Sequence, residues 1–115
     1  MNFSDSKSAF LLSLNSDQHQ FKDTLSFIDR WYDVTNTSFN NGSIRNDASE
    51  NQGSAKVLAL AIELDLSIQQ VLACFGEHYR DVLATPNTQN HFNLRRLIKE
   101  GLVDISFESF PLKRK

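Results

Sequence analysis

At 115 residues, with 40% hydrophobic content and nine Phe, the chain is sized for one domain with one core and is too apolar for disorder. A net charge of −2 excludes a global field for nucleic acid, and the longest apolar runs, 57–62 and 71–75, fall far short of a membrane span. The single cysteine, Cys74, excludes an internal disulfide and a Cys-rich zinc site, and fits a reducing cytoplasm.

In residues 1–15, Ser4, Ser6, Ser8 and Ser13 intersperse with Phe3, Phe10, Leu11, Leu12 and Leu14, which reads either as a short amphipathic helix or as a flexible leader. No basic segment followed by a long apolar run opens the chain, so a Sec signal is not expected. Asp17 with Gln20 has capping-box spacing and predicts a helix to about Tyr32, with Phe21, Leu25, Ile28 and Tyr32 inward and Phe27 and Trp31 as a second ridge. Thr, Ser and Asn then dominate to Asn46. Asn41-Gly42 predicts a type I′ hairpin loop, which would place Phe39 opposite Ile44. Val103, Ile105 and Phe107 alternate with Asp104 and Ser106, the period of a half-buried strand. Because a two-stranded hairpin alone is marginal in water, this strand is expected to join the hairpin.

Ser49-Glu50-Asn51-Gln52 predicts a capped helix to about Leu64, and Ser67 with Gln70 opens the next. There Ile68, Val71, Leu72, Phe75, Tyr79 and Val82 form one stripe, predicting a single helix of about five turns that stops at Thr85-Pro86. Asn90 is expected to cap a short helix with Leu94, Leu97 and Ile98 inward and Gly101 as its left-handed stop. No internal repeat divides residues 1–115, and residues 111–115 read as a solvated basic tail. The expected fold class is mainly helical α+β: one domain of four to five helices with a small antiparallel sheet.

Two polar stretches carry the candidate chemistry. In Asn46 to Lys56, Gly53 sits inside the first helical turns, which suggests close approach of a ligand or another chain segment. Asn51 and Ser54 share a face there, with Lys56 nearby. The plainer alternative is a capped helix start with solvated amides. In Asn90 to Arg96, two amides, an imidazole and two guanidiniums gather where a helix begins, and helix starts are electropositive and rich in free N–H groups. Arg95, beside inward-facing Leu94, is expected to pair with Glu77 or Asp81. Here the alternative is an Asn cap, an exposed His and two surface arginines. Cys74 and His78, four apart, suit either a thiolate–imidazole pair or a buried Cys beside a half-exposed His. The three histidines lack metal-binding spacings, and no Ser-His-Asp or paired-carboxylate motif can be read. Basic residues cluster only at Arg95-Arg96 and the tail, so neither nucleic acid nor membrane is expected as a partner.

At these residues the chain resembles the HopJ type III effector proteins. The matching pieces are Phe39-Asn40-Asn41-Gly42 with Asn46, Asn51-Gln52-Gly53-Ser54-Ala55-Lys56, and Phe75-Gly76-Glu77-His78-Tyr79-Arg80-Asp81-Val82-Leu83. Pro86 with Asn90-His91-Phe92-Asn93-Leu94-Arg95, and Gly101 to Phe107, complete a match over about residues 20 to 107. Ala55 and Leu102 stand where the family usually has Cys and Trp, so the resemblance implies no essential thiol at 55. It implies a bacterial protein of unestablished biochemical activity, with passage into host cells by type III secretion as the property the name carries. A Ser-rich amphipathic segment 2–16 suits such a leader, while Asp5 does not.

The functional expectation is a polar pocket where the helix starts near Asn51 and Asn90 converge, lined by Asn46, Asn51, Lys56, His91, Asn93 and Arg95. Lys56 and Arg95 would hold an anionic group of a small ligand, the amides would orient it, and His91 could exchange a proton. No cofactor is expected. Two other classes stand beside this one. An interaction module or translocated effector would meet a host protein through Phe107 and Phe110. An enzyme would use His91 or His78 activated by a carboxylate.

Overall fold

A computed structural model describes residues 1–115, in which six helices and five short strands follow one another along the chain. Helix α1 (Phe3–Ser13) is the helical alternative for the opening residues. Asn2 caps it by accepting a hydrogen bond from the Asp5 N–H, and Phe10 stacks on Phe27 of α2 (Phe21–Trp31) with ring centroids 4.3 Å apart. The α2 capping box is Gln20 with Asp23 rather than Asp17 with Gln20: the Gln20 N–H donates to the Asp23 carboxylate at 2.9 Å. Residues before it form a turn that buries His19, so the helix begins later than its spacing suggested.

Helix α3 (Gln52–Leu64) is the centre of the core. Its five consecutive residues Val57 to Ala61 are all buried, because α2, α4 (Ile68–Cys74) and the strand β5 (Leu112–Arg114) pack around it. The Ser49 capping box does not form. Asn51 adopts a left-handed conformation, Glu50 instead accepts from the Asp47 N–H, and Gln52 reaches back to bond both the N–H and the carbonyl of Thr37. Ser67 and Gln70 do box the start of α4.

The single helix expected from 67 to 84 is two. Gly76 breaks it at φ +55°, giving α4 and α5 (Glu77–Ala84). A Cβ at that position would lie 2.6 Å from the Phe21 backbone nitrogen, so the start of α2 occupies the space a continuous helix would need. Helix α6 (Phe92–Glu100) ends at Gly101, which has positive φ but an extended ψ of −163° rather than left-handed helical geometry.

β1 (Tyr32–Val34) pairs antiparallel with β5, and β2 (Phe39–Asn41) is the middle strand between β3 (Ile44–Asn46) and β4 (Ile105–Phe107). Only Ile105–Phe107 of the expected 103–107 strand joins the hairpin: Asp104 turns to φ +56°, which leaves Val103 outside the strand and exposed rather than inward. The hairpin's register also differs from expectation: Gly42-Ser43 forms the loop, Asn41 pairs with Ile44, and Phe39 lies opposite Asn46 and, on its other side, Phe107. The shift of two residues keeps every side chain on its face. Its cause is Asn41, which is fully buried and bonded to α6 and therefore belongs to the strand. The basic tail is also not simply solvated. Leu112 is buried, the Arg114 guanidinium lies 3.5 Å from the Phe3 ring centroid, and the Lys115 ammonium donates to the Asp29 carbonyl. The fold is mainly helical α+β, with the break at Gly76 supplying the sixth helix.

Candidate functional site

Asn41, Asn46 and Asn93 are buried amides, which must be hydrogen-bonded to be tolerated. They satisfy one another. Asn41 Nδ2 and Asn46 Nδ2 both donate to Asn93 Oδ1, at 3.1 and 3.3 Å, and Asn93 Nδ2 donates to Asn46 Oδ1 at 2.9 Å. Asn51 Nδ2 donates to the same Asn46 oxygen at 2.8 Å, while Arg96 closes the other end on Asn41 Oδ1 at 3.0 Å. Amides from the β2–β3 hairpin, the start of α3 and the first turn of α6 therefore form one ladder. It clamps two helix starts side by side.

Both starts have the same unusual geometry. Asn51 (φ +52°, ψ +35°) and His91 (φ +53°, ψ +44°) are left-handed residues immediately preceding right-handed helix. A left-handed residue followed by helical ones turns successive N–H groups toward a common point, an anion-binding concavity. The first N–H groups of each helix also have no carbonyl one turn back. Asn51, Gly53 and Ser54 of one start, and His91, Phe92, Asn93 and Leu94 of the other, line one cleft of about 280 Å³. Phe21, Phe75 and His78 complete its walls. The close neighbour that Gly53 implied is the Phe21 ring: a Cβ there would come within 2.9 Å of it.

The two histidines meet in this cleft, with ring centroids 4.9 Å apart. His91 Nε2 lies 3.3 Å from Asp81 Oδ2, and His78 packs against Phe21 in a T-shaped arrangement with ring centroids 5.0 Å apart. Glu77 accepts from the Phe21 N–H at 2.7 Å. Burial pushes its pKa up, but the backbone hydrogen bonds it accepts, with His78 and Arg80 beside it, hold the carboxyl below its ordinary value.

Of the residues expected to line the site, Asn51, His91 and Asn93 do so, and Asn46 stands behind them as the shared acceptor. Lys56 does not. It is half a turn past Ser54 and pairs with Asp29 of α2 at 3.7 Å. Arg95 also points elsewhere: its Nε donates to the Asn90 carbonyl at 2.6 Å and its Nη2 to Asn90 Oδ1 at 2.7 Å. It forms no ion pair with Glu77 or Asp81, whose oxygens are engaged with the Phe21 N–H and with His91. Asn90 is held by Arg95 and is not the helix cap, a place taken by His91. Cys74 and His78 fall on separate helices. Burial pushes the Cys74 thiol up to about 12, so it is no nucleophile. No three His, Cys, Asp or Glu side chains are grouped to hold a metal ion, and no helix is long and apolar enough to cross a membrane. Phe21 and Phe75 carried no sequence signal of a site; Gly76, a poor helix former lying between Cys74 and His78, was the available sign that the two fall on separate helices.

No protein with a curated description matches the chain. A crystal structure of the unknown-function protein VPA0580 is similar: 39% identical, with a TM-score of 0.87, covering 94% of this chain and 92% of that one. The model of the family described as HopJ type III effector protein matches residues 7–112, which include both helix starts, the whole amide ladder and the cleft. The chain belongs to the HopJ type III effector protein family.

Proposed function

We propose that the cleft between the starts of α3 and α6 binds a small molecule carrying an anionic group on an apolar or aromatic body. The observation that supports this most is the pairing of two left-handed residues, Asn51 and His91, whose helices open onto the same cleft. Backbone N–H groups and the positive ends of two helix dipoles favour an anion there without a lysine or arginine. That replaces the Lys56–Arg95 clamp, whose members pair elsewhere. The ladder holds the donors in place before a ligand arrives, which reduces the ordering cost of binding. Phe21 and Phe75, stacked with rings 5.8 Å apart, offer a flat apolar wall.

One contact favours a second reading, a small enzyme. Asp81 beside His91 Nε2 can orient the imidazole and stabilise its protonated form, the arrangement a general acid or base needs. A ligand's anionic group at the helix starts would sit beside that ring. Passage into a host cell is a separate reading that family membership supports. A reporter fused after residue 20 tests it by its appearance in host cytosol through a type III apparatus.

Phenyl phosphate and benzoate are suitable probes, since each joins an anion to an aromatic ring. Either is expected to raise the melting temperature at millimolar concentration, and Asn51→Ala or His91→Ala to remove most of that rise. Lys56→Ala is expected to retain it. Equal loss with Lys56→Ala and no loss with Asn51→Ala would refute the location.

A further inference from the structure

We infer that the free edge of β4, with the apolar groove beside it, is a docking site for an extended peptide segment carrying basic residues on either side of apolar ones. Hydrogen-bond parity establishes the edge. The Gly42 N–H donates to the Asp104 carbonyl and the Glu108 N–H to the Ser38 carbonyl, so Asn40 and Ser106 form the hydrogen-bonded pair between them. The N–H and C=O groups of Ile105 and Phe107 therefore point away from β2, and β4 has no strand on that side. An unpaired edge of this kind accepts another strand.

The edge does not stand alone. Ile105 also lines a groove of about 430 Å³ between β4 and the C-terminal half of α3, with Leu58, Ala61, Ile62 and Leu102 among its apolar walls. Ile62 is 55% and Leu102 37% exposed, and Val103 next to them is 52% exposed. Every second side chain of an added strand would face such a surface.

Charge selects the occupant. Asp65 and Asp104 are the charged residues on the rim of this groove, and neither takes part in an ion pair within the chain. Asp65 is the C-terminal cap of α3, where the helix dipole already places negative potential and where cations are favoured. A carboxylate there is locally unfavourable, and a partner's lysine or arginine would relieve it. An acidic peptide would meet the same potential as repulsion.

The test uses the whole chain with labelled peptides alternating valine and threonine between two lysines. Binding is followed by fluorescence anisotropy, and by amide chemical shifts in the 15N-labelled protein. The lysine-flanked peptide is expected to bind and to shift the Ile105 and Phe107 amides. Asp65→Asn with Asp104→Asn, both exposed positions that asparagine can occupy at positive φ, is expected to weaken binding about five- to tenfold while the fold is retained. N-methylation of the peptide at its valines, which blocks strand pairing, is expected to abolish binding. Equal binding of a glutamate-flanked peptide would overturn the proposal, as would unshifted Ile105 and Phe107 amides. Two other occupants would also overturn it: a dimer in sedimentation that buries Ile62 and Leu102, or binding to phosphatidylcholine vesicles lost in Ile62→Ser.

Discussion

Replacing Gly76 with alanine isolates the junction on which the cleft depends. The residue sits at φ +55° and ψ −122°, a conformation that costs a non-glycine residue about 1–3 kcal/mol. The added Cβ would also lie 2.6 Å from the Phe21 nitrogen and 2.8 Å from the Gln20 carbonyl carbon. Both are backbone atoms, so no side chain can swing aside and the start of α2 must move. That start is held by the Glu77 carboxylate on the Phe21 N–H, a charge-assisted bond worth about 1.5–3 kcal/mol. Together the two effects predict a loss of about 3–5 kcal/mol, a large part of a domain's total stability of about 5–15 kcal/mol. Urea denaturation followed by circular dichroism measures it, and the melting temperature should fall by about 10–20 °C. A change within about 1 kcal/mol would refute the reasoning. It would mean that α4 and α5 can join into one helix without cost.

Three further outcomes are expected. His19 is buried, its Nε2 lies 2.7 Å from Thr24 Oγ1, and burial pushes its pKa below the ordinary 6.5, with Asp23 opposing that shift, Arg80 adding to it and Glu77 opposing it. A lowered histidine pKa means that the unfolded chain takes up the proton first. Stability should therefore be complete above pH 6.5 and decline as pH falls from there toward the folded-state value. Glu77, also lowered, contributes above its ordinary 4.5 and loses that contribution as pH falls further, so its decline begins at lower pH than that of His19 in a pH series of urea titrations. A rise in stability on acidification from pH 6.5 would contradict the His19 environment. Cys74, fully buried with its thiol pushed up to about 12, should resist dithionitrobenzoate at mildly alkaline pH and react only on unfolding; rapid native labelling would contradict its burial. Asn93→Ala removes the oxygen on which Asn41 and Asn46 converge and should cost about 2–3 kcal/mol by urea denaturation, with loss of probe binding as well. An unchanged midpoint would show that the ladder is not holding the helix starts.

Some local signals carried through to the structure. The Ser67 box, the inward Leu94 and Leu97 of α6, and the joining of Ile105–Phe107 to the hairpin depend on neighbours in sequence or on simple alternation, whereas Ile98, expected inward, is 39% exposed. The errors share one physical origin, a distant contact outweighing a nearby signal. Ser49 had good capping spacing, but Gln52 is drawn to the Thr37 backbone and Asn51 turns left-handed. The Asn41-Gly42 pair favoured one loop, yet Asn41 is worth more in the strand, where Arg96 and Asn93 satisfy its amide. The Ile68 to Val82 stripe looked continuous because periodicity does not register a backbone crossing at Gly76. For the site, the polar clusters identified the two helix starts and the amides between them. They misassigned the cations, because Lys56 and Arg95 were placed by proximity in sequence rather than by helix face and competing acceptors.

The central claim is that two helix starts share one anion. Titrating 15N-labelled protein with phenyl phosphate tests it most directly. Gly53, Ser54, Asn93 and Leu94 amides should move together along a single saturating isotherm, with smaller changes at the Phe21 and Phe75 amides. Shifts confined to one helix start, or scattered over the surface lysines with no saturation, would contradict it.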